Sequence, residues 1–262
     1  MVQRYVRVKT TQAQTYYGLL QLDRSVQVLD APAWIGGQPT DLKLEPETYQ
    51  LLSPCAPTKV IAVGKNYQQH ATEMGGEVPQ EPLIFLKPPT AVTAHQKPIY
   101  YPPVSQRVDY EGELALVIGE RTHQCPPEQA RSRIWGYTIA NDVTARDLQK
   151  KDGQWTRAKG FDSFCPLGPW IVRDLNTAAK LQTFVNEETE PRQAAFLNEM
   201  VFSVEMLLSY ISEIMTLAPG DVILTGTPQG IGPMQISDRV RIEIEGIGSL
   251  ENHLINSDFP KK

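Results

Sequence analysis

The chain has 262 residues, 41% of them hydrophobic and 21% charged, with 25 Lys and Arg against 30 Asp and Glu for a formal charge of −5. This is the composition of a folded chain, and at roughly 150 residues per domain it allows one large domain or a medium one with a small companion. There is no basic excess to neutralise a phosphate backbone or anionic lipid, and no apolar run near the ~18 residues of a membrane span, so neither nucleic acid nor membrane is an expected partner.

Residues 1–30 read as three short strands around Tyr5–Val8, Tyr17–Leu20 and Val26–Leu29, separated by turn residues. After a turn-like stretch from Pro32 to Pro39 and polar residues to Tyr49, Leu51 to Pro57 reads as a linker. A boundary near residue 56 divides a small β-rich unit, 1–56, from a larger one, 57–262. In the larger unit apolar runs predict strands at 59–63, 83–86, 108–119, 135–142 and 221–226. At 239–245, Val240, Ile242 and Ile244 oppose Arg239, Arg241, Glu243 and Glu245. One helix is well signalled: Ser203 as N-cap, an apolar face of Val204, Leu207, Leu208, Ile211, Ile214 and Met215, and Pro219-Gly220 to end it. With 21 prolines punctuating the apolar runs, the chain is expected to be α+β, mostly β, with few helices. Cys55, Cys125 and Cys165 lack CxxC spacing and read as reduced thiols. No apolar h-region follows the basic amino terminus, so the expected compartment is the cytoplasm.

The chemistry concentrates in five segments. Residues two apart in a strand share a face, so Asp109, Glu111 and Glu113 line one side of 108–119. Either that half of the strand meets solvent, or a divalent cation offsets the repulsion of buried carboxylates. The strand 135–142 ends in a polar cluster with Asp142. Glu111, Glu113 and Asp142 make an oxygen-only set suited to Mg²⁺ or Mn²⁺. Glutamates two apart converge on one point, unlike a glycosidase pair flanking a bond. Lys159 sits among aromatic and small residues, readable as a solvated lysine or as a charge beside the metal. His70 and Glu73, three apart on a helical turn, share a face on which the carboxylate orients the imidazole as a base for water. Gly75, Gly76 and the prolines beyond them suggest a flap, with the pair forming on closure. The loop after 221–226 lacks the lysine and spacing of a P-loop and reads as backbone amides with Thr227 cupping a carboxylate.

In order, GKNYQQHATEMG, PLIFLKPPTAV, DYEGELALVIG, GYTIANDVTARDLQ, WTRAKGFDSFCPLGP and GDVILTGTPQGIGP resemble the fumarylacetoacetate hydrolase superfamily over roughly residues 57–255. The likeness is greatest to its branch of acylpyruvate hydrolases, oxaloacetate decarboxylases and 2-hydroxyhepta-2,4-diene-1,7-dioate isomerase-like enzymes. The resemblance implies a mixed β-roll, β-sandwich-like catalytic fold, and usually a homodimer. It also implies Mg²⁺ or Mn²⁺ on Glu111, Glu113 and Asp142, catalysis by His70, Glu73 and Lys159, and substrate contacts from Tyr67, Arg146, Gln149 and Thr227. The expected function is metal-dependent C–C cleavage of a 2,4-dioxo acid or oxaloacetate through an enolpyruvate, with His70 and Glu73 activating water. The alternatives are an isomerase or tautomerase acting on oxaloacetate or a 2-hydroxy-dienoate, and a non-catalytic metal-binding module.

Overall fold

The structure is a computed structural model describing residues 2–257. Among those residues it is mostly β, with five α-helices. The largest sheet has twelve strands. From one edge it runs Pro39–Leu44, Val26–Leu29, Thr15–Leu20, Arg4–Thr10, Cys165–Val172, Ile134–Asn141, Gly112–Ile118, Val222–Leu224, Val60–Gly64 and Leu83–Lys87. Tyr49–Leu51 and Val92–Thr93 pair off this path. A five-stranded sheet holds Gln193–Phe196, Lys180–Val185, Arg239–Ile244, Gly248–Asn256 and Pro98–Tyr101. Thr144–Ala145, Val108–Tyr110 and Gly232–Pro233 form a third sheet.

Hydrophobic pattern decides which strands are central. Every residue of Gly112–Ile118 is buried, as suits an unbroken apolar run covered on both faces. Arg239–Ile244 alternates, with Val240, Ile242 and Ile244 inward, as suits a sheet with one face packed on the core. The main core lies between these sheets and the helix Val204–Ile214, joining Leu114, Leu116 and Ile139 to Leu181, Leu208 and Ile242.

Three features depart from the sequence reading. The run 108–119 is not one strand: the chain leaves the small sheet at Tyr110 and enters the large one at Gly112, with Glu111 between. The helix starts as expected, Ser203 Oγ accepting from the Met206 amide at 3.3 Å, but it stops at Ile214 rather than at Pro219. Leu217 and Thr122 exchange backbone hydrogen bonds of 2.8 and 2.9 Å, which draws the chain out of helical conformation. Pro39–Leu44 and Tyr49–Leu51, read as turn, polar stretch and linker, are strands. The first is an exposed edge on which polar residues meet water, so no alternation marks it.

Tyr5 pairs with Ile171, so the amino-terminal strands continue the sheet that carries the larger unit. At the head of that unit, the fully buried Asp221 accepts from the Thr58 amide at 3.0 Å, the Thr58 hydroxyl at 2.6 Å, the Ala218 amide at 2.8 Å and the Lys59 ammonium. This carboxylate fastens residues 58 and 59 beside Val222–Leu224, where Val60 and Val222 begin a parallel pairing. Breaking a buried charged network costs roughly 3–5 kcal/mol, because donors are left buried without an acceptor. Asp221→Ala is therefore expected to lose about 3 kcal/mol of stability in urea unfolding, whereas an exposed acid such as Asp41→Ala should change it by less than about 0.5 kcal/mol.

Candidate active site

Strand register assembles the acidic cluster. Gly112 lies opposite Asn141 and Glu113 opposite Ala140, and the Asp142 amide donates to the Glu111 carbonyl at 2.9 Å. This ladder brings the Asp142 side chain beside those of Glu111 and Glu113. One oxygen from each of the three carboxylates lies within 4.8 Å of the others, and all three residues are buried. The Asn141 side chain accepts from the Glu111 amide at 2.9 Å, holding the point where the chain changes sheets.

The compensating charge is uneven. Lys159 Nζ lies 2.9 Å from Glu111 Oε2 and 2.5 Å from Asp142 Oδ2, while Lys87 Nζ reaches Asp142 Oδ1 at 2.5 Å. Arg146 bonds Glu111, holds Asp109 through Nε at 2.9 Å and donates to Gln149 Oε1 at 2.6 Å. Glu113 has no cation within ion-pair distance among the described residues. Its Oε2 accepts from the Gly226 amide at 2.7 Å. Gly226 has a φ of +98°, and a Cβ there would lie 2.7 Å from Asn66 Cβ, so a side chain would push this amide off Glu113.

The electrostatics follow. Burial, then Asp142 and Glu111, push the Glu113 carboxyl well above its usual range. Burial would also raise Glu111, but Lys159 and Arg146 outweigh it and hold that carboxyl low. Burial works against the Lys159 ammonium, yet Asp142 and Glu111 outweigh it and raise its pKa. A buried carboxylate lacking a cation beside two others is a site short of positive charge. The oxygen-only donor set fits a hard divalent ion such as Mg²⁺ or Mn²⁺.

His70 and Glu73 lie on the short helix Gln68–Glu73. The pair expected to form on closure is formed: His70 Nδ1 is 3.1 Å from Glu73 Oε2, and Glu73 Oε1 accepts from the Gly230 amide at 3.1 Å. Gly230 has a φ of +93°, and a Cβ there would lie 1.9 Å from the Arg192 carbonyl oxygen. One cavity collects His70, Glu111, Glu113, Asp142, Arg146, Gln149, Lys159 and Thr227 on its walls, with Val63, Lys65, Met74, Phe85 and Trp155. Tyr67 and Glu73 are not among the wall residues. The Tyr67 hydroxyl is buried without a partner among the described residues, and burial, then Glu113, raise its pKa. Thr227 donates its hydroxyl proton to the Gly112 carbonyl at 2.9 Å and accepts from Gln193 Nε2 at 2.8 Å.

Lys87 was missed in the sequence. It ends the strand Leu83–Lys87 and is buried, its ammonium also donating to the Val143 carbonyl at 3.2 Å. The available signal was a lysine closing an apolar run before two prolines, which reads equally well as a strand leaving for solvent.

Comparison with known proteins matches this chain to two family models. One, described as fumarylacetoacetate (FAA) hydrolase C-terminal, covers residues 59–255, and the other, Rv2993c-like, N-terminal, covers residues 3–54. Protein Rv2993c of Mycobacterium tuberculosis is 50% identical over 215 residues, 80% of each chain. The oxaloacetate tautomerase YisK of Bacillus subtilis is 40% identical over 209 residues, 74% of this chain and 69% of its own. Among solved structures, the 2-hydroxyhepta-2,4-diene-1,7-dioate isomerase of Mycobacterium marinum has a TM-score of 0.89 at 40% identity, covering 98% of this chain and 99% of that one. The fumarylpyruvate hydrolase of Pseudomonas aeruginosa, in complex with Mn²⁺ and pyruvate, has a TM-score of 0.73 at 33% identity, covering 79% and 92%.

Glu113 ties stability to pH. With divalent ions removed by a chelator, the folded chain binds the Glu113 proton more tightly than the unfolded chain does. Stability from this group therefore falls as pH rises above its ordinary value of 4.5. Glu111 has the opposite sign, its contribution being lost as pH falls below that value. Glu113→Gln keeps an acceptor for Gly226 and removes the charge. In calorimetry at pH 8 the metal-free variant is expected to melt about 2–4 °C above the parent. Mn²⁺ is expected to raise the melting temperature of the parent and to leave that of the variant unchanged. A variant that melts lower and still responds to Mn²⁺ contradicts this account of the cluster.

Proposed function

The chain belongs to the fumarylacetoacetate hydrolase family, and from that premise we propose that it is an enzyme moving a proton within a small 2-oxo acid, as an oxaloacetate-type keto–enol tautomerase or a related isomerase. The observation that carries this reading is the buried trio of Glu111, Glu113 and Asp142 with the Lys159 ammonium and the His70 ring on one cavity. The tautomerase and isomerase names of the relatives support it over C–C cleavage, the reading the sequence had placed first.

The reaction breaks a C–H bond at C3 and forms an O–H bond on the 2-oxo oxygen, or the reverse, consuming neither water nor redox partner. Glu111, Glu113 and Asp142 would hold Mg²⁺ or Mn²⁺, which when bound supplies a Lewis acid for the charge that develops on the 2-oxo oxygen. Lys159 adds a fixed positive charge, its ammonium anchored on two carboxylates and costing no reorganisation during the reaction. His70 is held through Nδ1 by Glu73, leaving Nε2 as the nitrogen that takes the C3 proton and returns it to oxygen. In this scheme Arg146 and Lys87 are positioning residues that aim Glu111 and Asp142, and Gln149 in turn holds Arg146. Tyr67 keeps a hydroxyl without a partner among the described residues in the neighbourhood of Glu113, behind the cavity wall.

A second reading keeps one specific observation on its side. The assembled His70–Glu73 pair is also the arrangement that takes a proton from water, as hydrolysis of an acylpyruvate requires.

Freshly dissolved oxaloacetate, assayed beside acetylpyruvate, separates the two. With Mn²⁺ present, the protein is expected to speed the decay of the enol absorbance while releasing no pyruvate beyond the protein-free blank. Glu113→Ala should abolish that acceleration, and His70→Asn should lower it by about 10²-fold or more, the scale of a lost general acid–base. Pyruvate released from acetylpyruvate would transfer the assignment to hydrolysis, and pyruvate formed from oxaloacetate in step with the absorbance change would transfer it to decarboxylation. No effect on either substrate would overturn both readings.

A further inference from the structure

The cavity has two kinds of wall. The carboxylates, Lys159 and Arg146 lie on its buried side, whereas Gly64, Lys65, Met74, Phe85 and Trp155 are half-buried and form its outer side. On that outer side Lys65 is the one charged residue. Arg146 and Lys159, the other lysine and arginine of the lining, are each committed to carboxylates. Lys65 has no carboxylate within ion-pair distance and no hydrogen-bond partner among the described residues, although it stands between apolar and aromatic groups.

The backbone sets this placement. Lys65 has a φ of +58°, in the left-handed region that a long side chain rarely adopts, at the turn from Val60–Gly64 into Gln68–Glu73. Just after that helix, a Cβ built on Gly76 would lie 2.9 Å from Lys65 Nζ, so the ammonium lies close against the backbone that follows Gln68–Glu73. A cation partly withdrawn from water, beside apolar walls and without a counter-ion, calls for an anion from outside the chain.

The neighbouring donors are unsuited to that task. The amides of Gly226 and Gly230 are spent on Glu113 and Glu73, and the Thr227 hydroxyl proton is given to Gly112. The loop read in the sequence as a carboxylate cup thus turns these groups inward. The 2-oxo acid end of a substrate belongs at the buried carboxylate cluster, which leaves Lys65 for the other end.

We propose that Lys65 is a specificity-determining residue that binds the distal carboxylate of the substrate, so that the cavity selects dianionic 2-oxo acids over those with a neutral tail. This rests on the proposed function for the position of the 2-oxo acid end, and it names the substrate class within that reading. Pyruvate shares the 2-oxo carboxylate with oxaloacetate but has a methyl group where oxaloacetate carries its distal CH₂–COO⁻.

The test is calorimetric binding of oxaloacetate and of pyruvate to the Mn²⁺-loaded protein, alongside the enol assay. In the parent, oxaloacetate is expected to bind at least tenfold more tightly than pyruvate. Lys65→Met should erase most of that preference by weakening oxaloacetate alone, and Lys65→Arg should retain it. Lys65→Asn, which suits a positive φ, gives the same outcome if Met disturbs the turn. In the enol assay Lys65→Met should raise KM for oxaloacetate about tenfold, with a much smaller change in kcat. An unchanged affinity ratio in both Lys65→Met and Lys65→Asn overturns the proposal, even where the enol assay shows turnover. A Lys65-dependent ratio with no turnover of any enol supports the subsite and overturns the proposed reaction instead.

Discussion

Everything in the site depends on three carboxylates being held together out of water. Left alone they would repel one another in a low-dielectric interior, and burial would favour their neutral forms. The fold resists this with backbone register. Strands Gly112–Ile118 and Ile134–Asn141 are locked by a ladder from Gly112 and Asn141 to Ile118 and Ile134, so Asp142 cannot move away from Glu111 without breaking a sheet at the centre of the core. The apolar residues of these strands thus do chemical work although none carries a functional group. They fix the spacing of charges that would otherwise separate.

Around that cluster the protein provides local positive charge, but not at every point. Lys87 and Lys159 take the two oxygens of Asp142, and Arg146 joins Glu111 to Asp109. Arg107 then continues the chain by pairing with Asp109 at 2.8 Å. The result is an alternating network of acid and base running from the cavity toward the surface. Glu113 stands at its end, supported by one backbone amide. The gap in compensation and the oxygen-only donor set coincide at one location, which is why a divalent cation suits this place better than another lysine would.

What could be read from the sequence divides along a physical line. Glu111 and Glu113 were legible because strand periodicity puts alternate residues together, and Asp142 because an apolar run ended abruptly in polar residues. His70 and Glu73 were legible because three residues make nearly one helical turn. Each is a local relation. Lys87 is 55 residues from Asp142 and carries no local mark of its partner. The break at Glu111 was hidden for a similar reason: it exists because Val108–Tyr110 and Gly112–Ile118 find different neighbours, Gly232–Pro233 on one side and Val222–Leu224 on the other. Donor commitments such as Thr227 to Gly112 are likewise tertiary, so residue type alone could show that a donor was present but not where it was spent.

Glu73 makes two bonds that couple events usually treated apart. It orients the imidazole of His70, and it ties the end of its helix to the Gly230 amide, outside the cavity wall. Any displacement of the helix that parts Glu73 from Gly230 also disturbs the carboxylate that aligns His70. The position of the helix and the alignment of the imidazole are then one variable rather than two. In the proposed reaction, the aim of the proton carrier would therefore be set by a contact that lies outside the cavity, so a change at the Gly230 loop would reach the chemistry without touching substrate.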